Sequence, residues 1–171
     1  MDVSEAIQSR RSVRKYKPDS IPSEDLHRIL EAARLAPSAG NRQPWRFILV
    51  RDVEKKRALA EVARNQTFLA DAYVIVVAAA EPEVSEKWCD RDTMIAVEHM
   101  VLTATALGYG TCWIGAFNEE DVKSLFGIPS KVRVVVILPI GKPDEKPNPR
   151  LRKEISEIFF EEEYGIPLRR E

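Results

Sequence analysis

Apolar residues recur at helical spacing in some stretches of the chain and form short continuous runs in others. Helical spacing predicts amphipathic helices, whereas short runs rich in β-branched residues predict strands that are covered on both faces. The pattern predicts helices over residues 3–10, 23–36, 54–64, 93–107, 118–127 and 153–162. It predicts strands over residues 45–50, 73–80 and 132–140. This order is not a strict alternation of strand and helix, so it favours a mixed sheet with helices on both faces.

Several predicted helix ends carry local signals. Ser23 is expected to cap the second helix, because acidic residues that suit the positive end of a helix dipole follow it. Gly108 is expected to end the long helix as its C′ glycine, and Asn118 to cap the next helix. The long helix over residues 93–107 is apolar nearly all round, which predicts burial at the domain centre or in a subunit interface.

The composition limits the possible classes of function. The chain has 171 residues, which suits one domain or one domain with an arm. Lys and Arg total 26 and Asp and Glu total 27, so the formal net charge is −1. This balance argues against non-specific nucleic-acid binding, which needs a positive surface. Any anion that the protein binds must therefore be held by a local cluster of positive charge.

The cysteine content and the lengths of the apolar runs predict the cellular compartment of the protein. Cys89 and Cys112 are the only cysteines, and no Cys or His pair stands at zinc-ligand spacing. We therefore expect no disulfide framework, and we expect the protein to reside in a reducing cytoplasm. The first 11 residues lack the apolar core of a signal peptide, and the longest apolar run, 72–80, is too short to span a bilayer. We expect a cytoplasmic protein that does not enter a membrane.

Positive charge is concentrated in residues 10–17, where five basic residues occur without an acid. If the backbone is extended there, Arg10, Ser12 and Arg14 point the same way, since strand side chains alternate. Two guanidinium groups beside a hydroxyl would form a socket for a phosphate. The alternative, a solvated basic face, is equally compatible with the spacing. A second basic run, residues 150–153, precedes the last predicted helix and has the same two interpretations.

Two further segments could contact a flat ligand. Residues 36–45 supply amide and hydroxyl groups that can bind the edge of a heteroaromatic ring, although an ordinary turn is the more common explanation of such a segment. Residues 108–115 contain G-x-G but lack the G-x-G-x-x-G spacing and follow a helix, which excludes a dinucleotide-binding fingerprint. A P-loop is absent as well. Glycines in this segment would let the backbone approach a ligand closely.

Taken together and in order, these segments resemble the nitroreductase family of flavin enzymes. The resemblance rests on R-R-S-V-R, A-P-S-A-G-N-R-Q-P-W, the helix ending in G-Y-G-T-C-W-I-G, and the basic pair near the C-terminus. It covers almost the whole chain and suits a compact member, because only residues 81–91 connect the central strand to the long helix. It implies an α+β fold with a mixed central sheet and helices on both faces, in an intertwined homodimer. It also implies one domain over residues 1–171 whose C-terminal arm, from about residue 150, reaches the partner subunit.

The resemblance further implies FMN at the subunit interface, with no metal and no catalytic side chain of the protein. The FMN phosphate, ribityl chain or pyrimidine edge would be held by Arg10, Arg11, Ser12, Arg14, Arg150 and Arg152. The loop facing the flavin bound mainly by the other subunit would supply Pro37, Ser38, Ala39, Asn41 and Gln43. The backbone passing the reactive ring nitrogen would be that of Trp113, Ile114 and Gly115, and the pyrimidine would be near Asn65 and Gln66.

The implied activity is an FMN-dependent oxidoreductase with NADH or NADPH as electron donor. The acceptor would be a small molecule such as a nitroaromatic or a quinone, reduced by a ping-pong mechanism, because in flavin enzymes the cofactor performs the chemistry. An alternative with the same fold is a flavin-binding protein for storage, sensing or flavin cleavage without NAD(P)H turnover. A nucleic-acid-binding module is disfavoured by the net charge. Trp88 either lines the substrate opening or has an ordinary packing role.

Overall fold

The computed structural model describes residues 1–168. The helices are α1 (Val3–Ser9), α2 (Ser23–Arg34), α3 (Val53–Val62), α4 (Cys89–Ala106), α5 (Glu119–Phe126) and α6 (Ile155–Ile158). The strands are β1 (Tyr16–Lys17), β2 (Trp45–Val50), β3 (Val74–Ala80), β4 (Gly110–Thr111) and β5 (Arg133–Pro143). Short 3₁₀ turns occupy Ala39–Asn41 and Thr67–Asp71. The α+β class predicted from the sequence is confirmed.

The sheet is organised around β3, and its strand order is β1-β5-β3-β2 with β4 paired to β5. All four ladders are antiparallel, and a single parallel bridge joins Ser12 to Thr111. Every residue of β3 is buried, because this strand is paired on both sides and covered on both faces. This explains why its sequence is apolar at every position rather than at alternate ones.

Helices cover both faces of the sheet, as predicted. One core layer packs α2 and α4 on the sheet through Ile29, Met100, Val76 and Leu138. The other packs α3 and α5 on the opposite face through Leu59, Val122, Ile75 and Ile137. Each of these buried side chains contributes about 1.5–3 kcal/mol through removal of its apolar surface from water.

The long helix α4 is buried on one side only. It begins at Cys89, four residues before the predicted start. Acidic residues suit the first turn of a helix. Because they are polar, the apolar pattern did not include this turn. Gly108, with φ of +86°, follows its end as predicted. Met94 and Ile95 are exposed, so the apolar surface of α4 extends beyond the core. Among residues 1–168, no helix combines the length and the apolar character needed to cross a membrane.

Two predictions about helix ends were tested by the cap geometry. Asn118 caps α5, since its side chain accepts from the backbone N–H groups of Glu120 and Asp121. The prediction that Ser23 caps α2 is wrong, because Ser23 is the first helical residue and Pro22 occupies the cap position. Pro22 has φ of −53° and ψ of 142°, which are not helical angles, so the helix starts one residue earlier than the cap signal suggested.

The last predicted helix, over residues 153–162, is wrong in length. Only the four residues of α6 are helical, and Phe160 pairs instead with Pro167 across a tight loop. No residue between 142 and 168 is buried, so this segment has no core to stabilise a longer helix, and short helices are marginal alone. The predicted arm over about 150–171 includes residues 169–171, which lie outside the described residues.

Tyr16 links the basic segment to the sheet and provides a test in alkaline solution. Its hydroxyl donates to the backbone oxygen of Val13 at 2.7 Å, and burial raises the pKa of this phenol well above its ordinary value. Below about pH 10 the phenol is protonated in both the folded and the unfolded chain, so its contribution to the free energy of unfolding is complete. Above that pH only the unfolded phenol ionises, and stability falls by about 1.4 kcal/mol per pH unit.

We therefore expect Tyr16→Phe to cost about 1 kcal/mol of unfolding free energy at pH 8, through the lost hydrogen bond. Between about pH 10 and 11 the variant should lose less stability than the wild type, by about 1.4 kcal/mol. Urea unfolding at these pH values measures both effects. Equal alkaline slopes for the two proteins would show that the Tyr16 phenol titrates normally in the folded state.

Candidate functional site

The basic residues of two distant segments meet at one concavity, which we call the basic cavity. It has a volume of about 430 Å³ and lies between the end of α1 and the loop that follows β5. Its lining residues are Ile7, Gln8, Arg10, Arg11, Ser12, Arg14, Pro147, Asn148, Pro149, Arg150 and Arg152. Five of these are arginines and none is acidic. A concavity with this lining attracts anions, and a phosphate would relieve the repulsion among the guanidinium groups.

The backbone explains how the basic segment presents its side chains. After α1 the chain becomes extended at Arg10, and Ser12 lies beside Thr111 through the parallel bridge. The N–H of Val13 donates to the Thr111 oxygen at 2.9 Å. Val13 is buried, whereas its neighbours Ser12 and Arg14 line the cavity. This is the alternation of side chains that the sequence predicted for an extended segment.

The arginines of the basic cavity differ in the hydrogen bonds that they already make within the protein. One guanidinium nitrogen of Arg11 donates to the backbone oxygens of Gln8 and Arg10 at 2.8 and 2.7 Å. Arg11 therefore already stabilises the end of α1. The backbone N–H of Arg14 donates to the Glu145 carboxylate, which fixes the main chain at this point.

Gly110 permits the close approach of the basic segment to β4. A Cβ atom at this position would lie 2.8 Å from both Cβ and Cγ1 of Val13 and 2.9 Å from Cγ2. Distances this short are repulsive, and the Val13 side chain is stiff because it branches at Cβ. The absence of a side chain at residue 110 therefore sets the position of one wall of the basic cavity.

We expect Gly110→Ala to destabilise the protein by about 1–3 kcal/mol, since it overpacks a filled site. Combining it with Val13→Ala should recover part of this loss, because the second substitution removes Cγ1 and Cγ2, two of the three atoms that clash, and keeps Cβ. Chemical denaturation of the two single variants and the double variant measures the coupling. If the stability losses of the two single variants simply add in the double variant, the side chains at positions 110 and 13 do not clash. Gly115→Ala is the matched control, since a Cβ there meets nothing within 4 Å.

Cys112, next to Thr111, is packed in the core. It is 1% exposed, and burial raises the pKa of its thiol, while Arg14 and a hydrogen bond with Ser12 act in the opposite direction. The thiol is therefore protonated near neutral pH and does not act as a nucleophile. His99 is half-buried on α4, and its Nδ1 lies 3.2 Å from the backbone oxygen of Ala32, a structural contact.

The segment Trp113, Ile114 and Gly115 continues from β4 along the same edge of the sheet. Ile114 exchanges two backbone hydrogen bonds of 3.0 Å with Ile137 of β5, which holds this segment against the sheet. Gly115 is exposed, and the space in front of it is open. Gln66 joins the segment, because its Nε2 donates to the oxygens of Ala63 at 2.9 Å and Ala116 at 3.4 Å.

The loop that follows α2 adopts unusual backbone angles. Gly40, Asn41 and Gln43 all have φ between +51° and +59°, which is costly for the two residues that carry side chains. Several hydrogen bonds hold the loop. The Ser38 hydroxyl accepts the N–H of Gln43 at 3.0 Å, and the Asp92 carboxylate accepts the N–H of Ala39 at 3.1 Å. Backbone held in such a conformation is a feature of binding sites.

The predicted site residues form two groups at opposite ends of the sheet. The basic cavity adjoins Thr111, which pairs with Ile140 beside the first residue of β3. The loop at Pro37–Gln43 leads into Trp45, which pairs with the last residue of β3. Seven strand residues separate these ends, which is roughly 20 Å. Within one chain, the residues near 10–14 and 150–152 meet in the basic cavity. Residues 113–115 run from β4 along β5, where Ile114 lies opposite Ile137, and Gln66 lies beside Ala116, whereas the loop is at the other end of β3.

Sequence reasoning did not find Asp92, nor the loop residues 147–149 of the basic cavity. Asp92 is almost fully buried, but it precedes the predicted helix over residues 93–107, so its place on the buried side of α4 gave no signal in the sequence. Residues 147–149 gave no chemical signal beyond two prolines, because their role depends on where the chain folds back. Within residues 1–168, no three His, Cys, Asp or Glu residues are grouped as a metal site would require.

Comparison with known proteins identifies the family. The model of the nitroreductase family matches residues 7–67 and 62–142. A relative from Archaeoglobus fulgidus, which carries the name NADH dehydrogenase/NAD(P)H nitroreductase, is 39% identical over 148 residues, covering 82% of this chain and 85% of the relative. A nitroreductase family protein from Clostridium novyi NT superposes with a TM-score of 0.80 at 36% identity, covering 98% and 97% of the two chains.

An FMN-dependent nitroreductase from Clostridium difficile gives a TM-score of 0.84 at 30% identity and covers 92% of this chain and 98% of its own. The matched regions include the basic segment, the loop after α2 and the segment that follows α4. Sequence motifs, fold and these likenesses agree, and the chain belongs to the nitroreductase family.

Proposed function

We propose that this protein is an FMN-dependent oxidoreductase that uses NADH or NADPH to reduce a small organic acceptor. The observation that carries the proposal is the basic cavity, where arginines from residues 10–14 and 150–152 surround a space lined by no acid. Relatives named as an NAD(P)H nitroreductase and as an FMN-dependent nitroreductase support the choice of cofactor and donor.

The residues of the basic cavity fit the phosphate end of FMN. Arg10, Arg14, Arg150 and Arg152 offer guanidinium donors to a doubly charged group, and Ser12 offers a hydroxyl. The closeness of Gly110 to Val13 keeps this wall in place. Arg11 contributes positive charge, although its guanidinium also donates to backbone oxygens.

The flat part of the cofactor would extend along the edge of β5. The exposed backbone at Gly115 can approach a planar ring without side-chain interference, and Trp113 and Ile114 lie beside it. Gln66 is held against Ala116 and has amide groups suited to the edge of a pyrimidine. The loop at Pro37–Gln43 of a second copy would close the other side, because it lies roughly 20 Å away within one chain.

The reaction transfers two electrons in two half-reactions. When bound, FMN supplies the redox chemistry by accepting a hydride from the nicotinamide and passing its two electrons to the second substrate. In sum, NAD(P)H and a proton reduce a quinone to a quinol, or a nitro group to a nitroso group and water, and leave NAD(P)⁺. The protein would bind and orient both substrates in turn. Ping-pong kinetics follow from this shared site.

We also infer that the protein works as a homodimer. The segment over residues 150–168 has no buried residue, yet it exposes several large apolar side chains, namely Leu151, Ile155, Ile158, Phe159, Tyr164, Ile166 and Leu168. Exposed apolar surface of this extent is typical of a subunit interface. A groove of about 500 Å³ between α1, α2 and α4, lined by Val3, Leu35 and Leu102 among others, provides a complementary surface.

The proposed function is tested on the purified protein. We expect a yellow protein whose flavin absorbance is bleached by NADH or NADPH without oxygen and is restored by menadione or a nitroaromatic. A protein that stays colourless and takes up no added FMN would contradict the proposal. Flavin binding without NAD(P)H oxidation would favour the alternative function of storage, sensing or flavin cleavage.

A further inference from the structure

The loop that follows α2 is a unit held together by its own hydrogen bonds. The backbone oxygen of Ser38 accepts the N–H of Asn41 at 2.9 Å, and its hydroxyl accepts the N–H of Gln43 at 3.0 Å. The backbone oxygen of Ala39 accepts the N–H of Arg42 at 3.3 Å and its guanidinium at 3.0 Å. Because these bonds all end on Ser38 or Ala39, the position of these two residues sets the position of the loop.

One hydrogen bond ties this loop to α4. The Asp92 carboxylate accepts the backbone N–H of Ala39 at 3.1 Å, and within residues 1–168 no other hydrogen bond joins the loop to this helix. Residues 40–43 are exposed, and both elements line a cleft of about 400 Å³. Close packing therefore does not fix the loop on α4, and the bond from Ala39 to Asp92 anchors it.

The burial of Asp92 is unusual for an acid. Asp92 is 4% exposed and lies in the first turn of α4, where the positive end of the helix dipole suits a carboxylate. Among residues 1–168 it forms no salt bridge, whereas Asp90, two residues earlier, pairs with Arg133 at 3.0 Å. Burial of a carboxylate is costly unless hydrogen bonds compensate it. The hydrogen bond that this side chain accepts comes from the loop.

We propose that Asp92 is a positioning residue that holds the loop in the conformation in which it meets the flavin bound by the partner subunit. It acts through the N–H of Ala39 and does not itself contact the cofactor. Asn41 and Gln43 have positive φ, so the loop conformation is strained and needs an anchor to persist before FMN binds. A preformed loop lowers the ordering cost of binding. The inference rests on the proposed function, which assigns this loop to the flavin.

The test begins with Asp92→Ala and Asp92→Asn in the full chain. In Asp92→Ala we expect Kd for FMN to rise at least about tenfold, because the loop loses its anchor. The visible absorption band of the bound flavin should also lose fine structure, since a displaced loop admits water to the ring. Asp92→Asn should keep Kd within about threefold of the wild type, because the amide oxygen can accept the same N–H.

Ala39→Pro removes the same hydrogen bond from the side of the loop. Ser38 has φ of −143° and ψ of 155°, the extended backbone that suits a residue before proline, and Ala39 is the first residue of its 3₁₀ turn. We expect Ala39→Pro to raise Kd for FMN about as much as Asp92→Ala does. The double variant should bind no more weakly than either single variant, because both changes remove one interaction.

Asp25→Ala is the matched control. Asp25 also lies in the first turn of a helix, α2, and also accepts a hydrogen bond from a distant residue, the Tyr109 hydroxyl at 2.6 Å. Chemical denaturation should show a loss of stability in this variant comparable with that of Asp92→Ala. Its Kd for FMN and its flavin absorption band should match those of the wild type, which separates loop positioning from general stability.

The outcomes distinguish failure of this inference from failure of the proposed function. The positioning role of Asp92 is overturned, and the proposed function left standing, if Asp92→Ala keeps the wild-type Kd and flavin band. It is equally overturned if Asp92→Asn binds FMN as weakly as Asp92→Ala, if Asp25→Ala has the same effect, or if the losses in the double variant add. Should Asp92→Ala not fold, an unchanged Kd in Ala39→Pro overturns it. A wild-type chain that binds no FMN overturns both proposals.

Discussion

Replacing Arg10 and Arg14 together by alanine is expected to weaken FMN binding by about 3–6 kcal/mol, roughly two to four orders of magnitude in Kd. Both side chains line the basic cavity, and each would make a charge-assisted contact of about 1.5–3 kcal/mol with the phosphate end of the cofactor. The stability of the apoprotein should not fall, since the substitution relieves repulsion among like charges.

Quenching of FMN fluorescence during titration of the apoprotein measures this Kd, and chemical denaturation measures the stability. The matched control replaces Arg34 and Arg57 by alanine, because it removes the same charge from exposed arginines that pair with Glu31 and Glu54 on their own helices. It should change Kd less than threefold at moderate salt. An unchanged Kd in the Arg10 and Arg14 variant would remove these residues from the cofactor site.

The features predictable from the sequence are those that depend on local physics. The apolar run of β3 identified a strand because both its faces and both its edges are covered. The alternation of residues 10–14 identified the residues that line the basic cavity, because an extended backbone forces neighbours to opposite sides. The end of α4 at Gly108 and the cap of α5 at Asn118 follow from backbone preferences of single residues.

The features that were mispredicted depend on partners distant in the chain. The last helix is short because no part of the described chain buries it, and hydrophobic spacing alone does not reveal that absence. The part played by Asp92 depends on Ala39, 53 residues away in sequence. The early start of α4 at Cys89 was hidden by a polar first turn.

The separation of the two groups of site residues determines what assembly the proposed site needs. The loop around Asn41 and Gln43, whose backbone is strained, lies at one end of β3. The basic cavity is at the other end of the sheet, roughly 20 Å away. A two-fold arrangement would place the loop of one copy against the cavity of the other, and would do so twice. The exposed apolar arm is the element that can hold such copies together.

Replacing Ile158 and Phe159 together by aspartate is therefore expected to dissociate the proposed homodimer. These side chains are 52% and 56% exposed in one chain, and burial of each against a partner would stabilise the dimer by about 1.5–3 kcal/mol. Two-fold symmetry buries each twice, and a buried aspartate adds a desolvation cost. We expect Kd for dimerisation to rise at least about a thousandfold.

Sedimentation velocity over a range of concentrations measures the dimerisation, and FMN titration should show weaker cofactor binding in the same variant, because the proposed site takes one wall from each copy. Val53→Asp is the control, since it places the same charge on an exposed apolar residue at the first position of α3, where an acid suits the helix dipole. An aspartate variant that remains dimeric with unchanged FMN affinity would show that the arm does not hold the subunits together. A monomer that binds FMN as tightly as the wild type would show that the cofactor site is complete within one chain.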